Sequence, residues 1–119
     1  MHDRLWKVPV SLVLLAALGV GCAPMAASTA IATAAEEMQK AAEVQSEKFA
    51  PYSYWLSRAY LRKAKTTNGY SEFSIAQQYA VRARELASKA QADAREAKLR
   101  QKILLERLKR RDSHKKGTP

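Results

Sequence analysis

Cysteine occurs once in the 119 residues, histidine twice, and glycine and proline four times each. A single cysteine excludes a disulfide framework and any multi-cysteine zinc or iron–sulfur centre. So little glycine and proline excludes collagen-like, loop-rich and low-complexity chains. Beyond residue 21 β-branched residues are few, which leaves little from which to build a sheet. No stretch reaches the about twenty apolar residues that a membrane-spanning helix needs; the run from Val8 to Val20 stops at thirteen and contains Pro9 and Gly19. Acidic residues are also short, 11 against 21 Lys and Arg, for a formal charge of +10. What remains is a chain of one small domain's length, 47% hydrophobic and 27% charged. A balance of +10 ordinarily points to nucleic acid, an anionic membrane surface or another acidic polymer.

The N-terminal segment bears on which of these is accessible. Arg4 and Lys7 precede the apolar run, and small residues follow it, which is the layout of a secretory signal. The residues Leu18-Gly19-Val20-Gly21-Cys22 resemble the bacterial lipoprotein signal, although Gly19 stands where that family usually has leucine. The resemblance implies a signal peptide over residues 1–21, cleavage between Gly21 and Cys22, and acylation of Cys22, palmitate included. Uncleaved anchoring and a buried structural cysteine are the alternatives. One acyl chain anchors marginally and several anchor firmly; the family's cysteine carries three. Ala23 follows the cysteine in place of the aspartate that marks inner-membrane retention, so the expected location is the periplasmic face of the outer membrane. Nucleic acid is then not an expected partner.

Residues 22–119 are rich in Ala, Glu, Lys, Arg, Gln and Leu, all good helix formers. The predicted fold is all-α, a helical hairpin or small three-helix bundle whose long C-terminal helix projects beyond it. Residues 22–27 are expected to form a short tether, 28–94 the bundle, and 95–119 a basic helical extension with a disordered tail. The first helix is expected from about Ser28 to Lys48, with Ile31, Ala34, Met38 and Ala41 inward. The second begins with Pro51 in its first turn and ends at the Thr66-Thr67-Asn68-Gly69 turn. On it Tyr52, Trp55, Leu56, Ala59 and Tyr60 share one face, while Tyr54 and Leu61 fall on the far side, so this helix is expected to be covered from two directions. The third is expected to be capped by Ser71 and to run to about Arg111. Along it Phe73, Ala76, Ala80, Ala83, Ala87, Ala90, Ala94 and Ala97 alternate in threes and fours, the seam of a coiled-coil-like contact. Glu36–Lys40, Glu85–Lys89, Glu96–Arg100 and Glu106–Arg110 are favourably oriented i,i+4 pairs. At 1.5 Å per residue the third helix spans on the order of 60 Å against roughly 25 Å for the second, so its end must protrude. The protrusion carries Leu104, Leu105 and Leu108 in line with the alanines, an apolar stripe that suits a partner or a second copy.

Eight of the nine aromatics that the sequence holds in all lie far from its ends, between Phe49 and Tyr79, apart from Trp6. They serve either as the core of the hairpin or as a ligand- or sugar-stacking surface with Tyr54 and Tyr70 exposed. Pro51-Tyr52, Ala59-Tyr60-Leu61, Lys63-Ala64, Gly69-Tyr70 and Tyr79-Ala80 through Ala83, Leu86 and Ala87 resemble a family of bacterial lipoprotein modules of unknown function. The resemblance covers roughly residues 28–92. Relatives often place the module before an OmpA-like peptidoglycan-binding domain, so it implies a cell-envelope role without an established activity. Leu56, Tyr60, Gly69, Phe73 and Ala76 are similar in spacing to one tetratricopeptide unit, but no second copy follows.

Catalytic machinery is not expected. With His2 inside the signal, His114 in the polar tail stands alone, too little for a metal site or a histidine triad. Glu36, Glu37, Glu43 and Glu47 read as a solvated helix face, and no glycine-rich phosphate loop appears. The only non-protein group expected is the lipid on Cys22; no metal or other cofactor is. The charge is concentrated: residues 95–119 hold ten Lys or Arg and three Asp or Glu, a net +7. Arg107, Lys109, Arg110, Arg111, Lys115 and Lys116 focus it. They either solvate a fraying helix end or meet an envelope polyanion: peptidoglycan carboxylates, lipopolysaccharide phosphates or anionic lipid. The major outer-membrane lipoprotein is joined to the wall through a C-terminal lysine. This chain closes Lys115-Lys116-Gly117-Thr118-Pro119, so covalent attachment is not expected. The sequence thus supports a non-catalytic, lipid-anchored envelope spacer or assembly partner with a basic arm. Its competitor is a helical adaptor that binds a protein, or itself, through Leu104, Leu105 and Leu108.

Overall fold

The computed structural model describes residues 22–117; the signal segment with Gly21, and Thr118 and Pro119, lie outside the described residues. Four helices follow in order, α1 (Cys22–Glu43), α2 (Ser46–Phe49), α3 (Pro51–Gly69) and α4 (Phe73–Lys116), and no strand occurs among the described residues. The all-α expectation and the long C-terminal helix both hold. Residues 22–27 are the opening turns of α1 rather than a tether, and Ala27 is fully buried.

The breaks between helices are made by backbone, not by caps. Gln45 takes a left-handed conformation, φ 61°, which ends α1 and starts the single turn of α2. Ala50 leaves the helical region at φ −143°, ψ 54°, and Pro51 opens α3, where its missing N–H removes nothing from the helix. Thr66, Thr67, Asn68 and Gly69 do not stop α3 but complete it; the Tyr70 N–H closes its last turn on the carbonyls of Thr66 and Thr67. Ser71 then turns the chain at φ 63°, so it is no N-cap. Glu72 holds that position without a side-chain hydrogen bond. The first residues of α4 are held instead by the chain itself, Ala76 N–H donating to the Glu72 carbonyl.

α4 is the spine. Ala76, Ala80, Ala83, Ala87, Ala90 and Ala94 are all fully buried, as their spacing predicts. α3 runs antiparallel to α4 along this seam, and the Ser57 hydroxyl donates to the Ala83 carbonyl at 2.6 Å. α1 lies beside both, joined to α4 through Gln91 and Glu37. Every residue from 99 to 117 is exposed, so the buried Ala27 lies against the first half of α4 and α1 runs in the same direction as α4. Small residues at the seam let the three helices approach closely, although each buried methyl contributes only about 0.8 kcal/mol. Met38, Tyr54 and Leu61 add the larger apolar surfaces of the core.

The inward face of α3 differs from the expected one. Tyr52 is 78% exposed, Trp55 and Ala59 are exposed, and Leu56 and Tyr60 are only half-buried. Ser53, Tyr54, Ser57, Leu61 and Ala64 are buried instead. A helix lying against an alanine seam must present small residues where the backbones are nearest, and in α3 those are Ser53, Ser57 and Ala64. Tyr54 and Leu61 flank these small residues, and the rings of Tyr52 and Trp55 lie outside that face.

Candidate functional site

Beyond Lys98, α4 leaves the bundle. The Lys98 ammonium lies 5.3 Å from the centre of the Phe49 ring, which places the end of α2 at this level of the spine. From residue 99 to Lys116 every residue is exposed, a stretch of about 27 Å at 1.5 Å per residue. The sequence led one to end it near Arg111; it continues to Lys116, with His114, Lys115 and Lys116 in the last turn where cations favour the helix dipole.

This arm carries both groups of residues singled out from the sequence. Leu104, Leu105 and Leu108 are 56%, 51% and 44% exposed and fall on the sector of α4 that carries the buried alanines lower down. The bundle ends and the apolar stripe does not. Arg107, Lys109, Arg110, Arg111, Lys115 and Lys116 are all exposed. They do not form one cluster. With about 3.6 residues per turn, Arg107 and Arg111 line one edge of the leucine stripe, and Lys109 and Lys116 line the other. Arg110 is on the back of the helix, and with Arg111, His114 and Lys115 it lines a shallow depression near the tip.

Residues not singled out extend the pattern. Arg100 continues the arginine edge and is paired with Glu96, whose hydrogen bond and charge push the guanidinium above its ordinary range. Lys102 continues the lysine edge, while Leu99 and Ile103 are exposed on the opposite sector. A helical wheel drawn through residues 98–116 carries this signal; a count of charges does not, because it ignores which side of the stripe each cation takes.

Cys22 begins α1 and is exposed, which removes the reading of a buried structural cysteine. Because α1 and α4 run in the same direction, Cys22 is at the end of the molecule where α3 turns into α4, opposite to the arm. Tyr70, 77% exposed, is at the same end. It shares a shallow depression with Lys63, Thr66, Thr67, Glu72, Ile75 and Tyr79. Tyr54, exposed with it only if the aromatics form a stacking surface, is buried as in the core reading and stacks edge-on against Trp55 with centroids 5.4 Å apart. The aromatics are thus split: Tyr54 belongs to the core, whereas Tyr52, Trp55 and Tyr70 face solvent. The Arg58 guanidinium covers the exposed Trp55 ring at 5.2 Å.

The expected solvated carboxylate face holds for Glu36, Glu43 and Glu47 but not for Glu37. Gln91 Nε2 donates to Glu37 Oε2 at 2.8 Å and to the Glu37 carbonyl at 3.2 Å, and Lys40 Nζ donates to Oε1 at 2.7 Å. These hydrogen bonds, that of Lys40 first, hold the Glu37 carboxyl below its ordinary pKa. No group of three metal-ligating side chains occurs among the described residues, and no described helix is long and apolar enough to cross a membrane.

No family model matches the chain, and no curated protein or solved structure matches it either. The arm must therefore be read from its own chemistry.

Proposed function

We propose that this chain is a non-catalytic, lipid-anchored protein of the bacterial cell envelope. In this reading Cys22 carries the lipid at the periplasmic face of the outer membrane. The bundle acts as a spacer, and the arm meets an anionic envelope component away from the anchored end. The observation that carries the reading is polarity. The cysteine of the lipoprotein-like signal, at the start of α1, lies beside the start of α4, and the tip of the cationic arm is about 60 Å away at 1.5 Å per residue. An anchor and a contact site so separated suit a bridge across a gap better than a pocket for a small substrate. Several acyl chains would hold the anchored end firmly, and charge in the arm would draw an anionic partner with a strong dependence on salt.

Fractionation of cells expressing wild type or Cys22→Ser tests the anchor: wild type sediments with the outer membrane and the variant is recovered in the soluble fraction. Binding of the purified chain to isolated peptidoglycan tests the arm. Retention should fall steeply with added salt and on replacing Arg107, Lys109, Arg110 and Arg111 by glutamine. A Cys22→Ser protein that stays in the outer membrane would sink the localisation, and salt-insensitive retention would sink the electrostatic contact. A second reading, an adaptor for a protein partner, is favoured by the leucine stripe, which a purely electrostatic contact leaves unused.

A further inference from the structure

We propose that the leucine stripe seats an α-helix of a protein partner, and that this helix carries aspartate or glutamate along both edges of its apolar face. The inference rests on the arm being the contact site and specifies what it contacts.

Three observations lead to this occupant. The first is continuity. The seam that receives α1 and α3 through Ala83, Ala87, Ala90 and Ala94 runs on, in the same sector, into Leu104, Leu105 and Leu108. A surface that already binds helices over its first half presents the same spacing over its second, with leucines in place of alanines. Leucine holds the incoming backbone farther out and buries more area per residue, which suits a partner that must be held without a covalent connection.

The second is shape. α1 and α3 cover the seam side of α4 as far as Phe49 and Lys98, and every described residue beyond is exposed. The stripe therefore lies at the foot of a step one helix high, about 10 Å. A flat bilayer laid on that side meets the outer faces of α1 and α3 first and is kept from the leucines beside the step. A helix fits the step, and its end abuts the one-turn helix α2.

The third is charge. Arg100, Arg107 and Arg111 line one edge of the stripe, and Lys102 and Lys109 line the other. In a two-helix contact these flanking positions face those of the partner and decide which partner is accepted. Cations on both edges select acidic edges on the incoming helix. They also disfavour a second copy, whose arm would set Arg107 and Lys109 against like charges.

The test uses the full-length chain in detergent micelles and a fluorescent synthetic helix of about three heptads, leucine at a and d and glutamate at e and g. A twin peptide has lysine at e and g, and vesicles containing one-third phosphatidylglycerol provide a flat anionic surface. The glutamate peptide should bind at physiological ionic strength, with the lysine twin at least about 100-fold weaker. Leu108→Asp should weaken the glutamate peptide by about tenfold or more, whereas Leu99→Asp, on the opposite sector, should change it less than about twofold. Both variants should keep the helical circular dichroism and melting temperature of wild type, because neither residue contributes to the bundle.

Equal binding to wild type and Leu108→Asp overturns the proposal and leaves the electrostatic reading of the arm standing. Vesicle binding with the same leucine dependence assigns the stripe to a bilayer instead. A dimer that Leu108→Asp dissolves, seen by sedimentation without any peptide, assigns it to a second copy. Absence of binding to the glutamate peptide and to peptidoglycan alike removes both this proposal and the function on which it rests.

Discussion

Gln91 is the one polar residue among the buried positions of α4, which are otherwise Leu86 and alanines, and its amide is committed to α1 through the carbonyl and carboxylate of Glu37. Its partner carboxylate is drawn out of the solvated face and held by Lys40 from the other side. Glu37 titrates below its ordinary value of 4.5 in the folded chain. A depressed carboxyl stabilises the fold above the unfolded pKa, and that stability is lost as pH falls through the folded pKa. Thermal melts followed by circular dichroism should therefore hold level from neutral pH to about pH 5 and decline below about pH 4.5. Glu37→Gln should melt lower on the plateau and lose less on acidification. An acid limb identical in the two proteins would mean that other carboxylates account for it. The contribution is modest because the Glu37 side chain keeps 22% of its surface in water. None of this is visible in the sequence, where Glu37 is one of four glutamates at helical spacing and Gln91 is a polar interruption in a row of alanines.

At the scale of elements, α4 governs the packing, and the absence of side-chain bulk is what its seam requires. Ala87 is fully buried at the centre of the contact. Ala87→Leu, an ordinary change on an isolated helix, should destabilise the bundle by about 1–3 kcal/mol through overpacking. The melting temperature should then fall by about 4–8 °C per kcal/mol for a domain of this size. Leu104→Ala, by contrast, should leave it unchanged, and a comparable loss for the two would mean that the arm folds back on the bundle. The seam of α4, the proline start of α3 and the protrusion of the arm were all legible in the sequence, because each follows from periodicity, backbone chemistry or length. The inward face of α3 was not. Counting large apolar residues favours Tyr52 and Trp55, whereas closeness of approach selects Ser53, Ser57 and Ala64. The turn before α4 was misread for a similar reason: Ser71 is a good cap by type, but its left-handed backbone puts it outside the helix, and Glu72 takes its place.

For the molecule as a whole, a packed part and an unpacked part are separated along one axis. The bundle depends on α1, α3 and the first part of α4; beyond Lys98 every described residue of the arm is exposed. Truncation after Lys98 should leave the melting temperature within about 2 °C of the parent, although the chain loses much of its positive charge. A large fall would show that the arm stabilises the bundle and would contradict its exposure from residue 99 onward. The same truncation should abolish retention on peptidoglycan, so that stability and binding are lost independently. The candidate site was legible as composition, leucines and cations together, but the two-edged arrangement around the stripe emerges only when each cation is placed around the helix, which a count of charges does not do.

A seam of identical small residues has a further consequence. Sliding α3 along α4 by one heptad, about 10 Å, puts alanine where alanine was. Even the carbonyls that accept from Ser57 and Ser46, those of Ala83 and Ala90, are themselves a heptad apart on α4. The interface behaves as a ruler with evenly spaced notches. Met38, Tyr54, Leu61 and the Gln91–Glu37 hydrogen bonds single out one notch, and the reach of the arm is set by that choice.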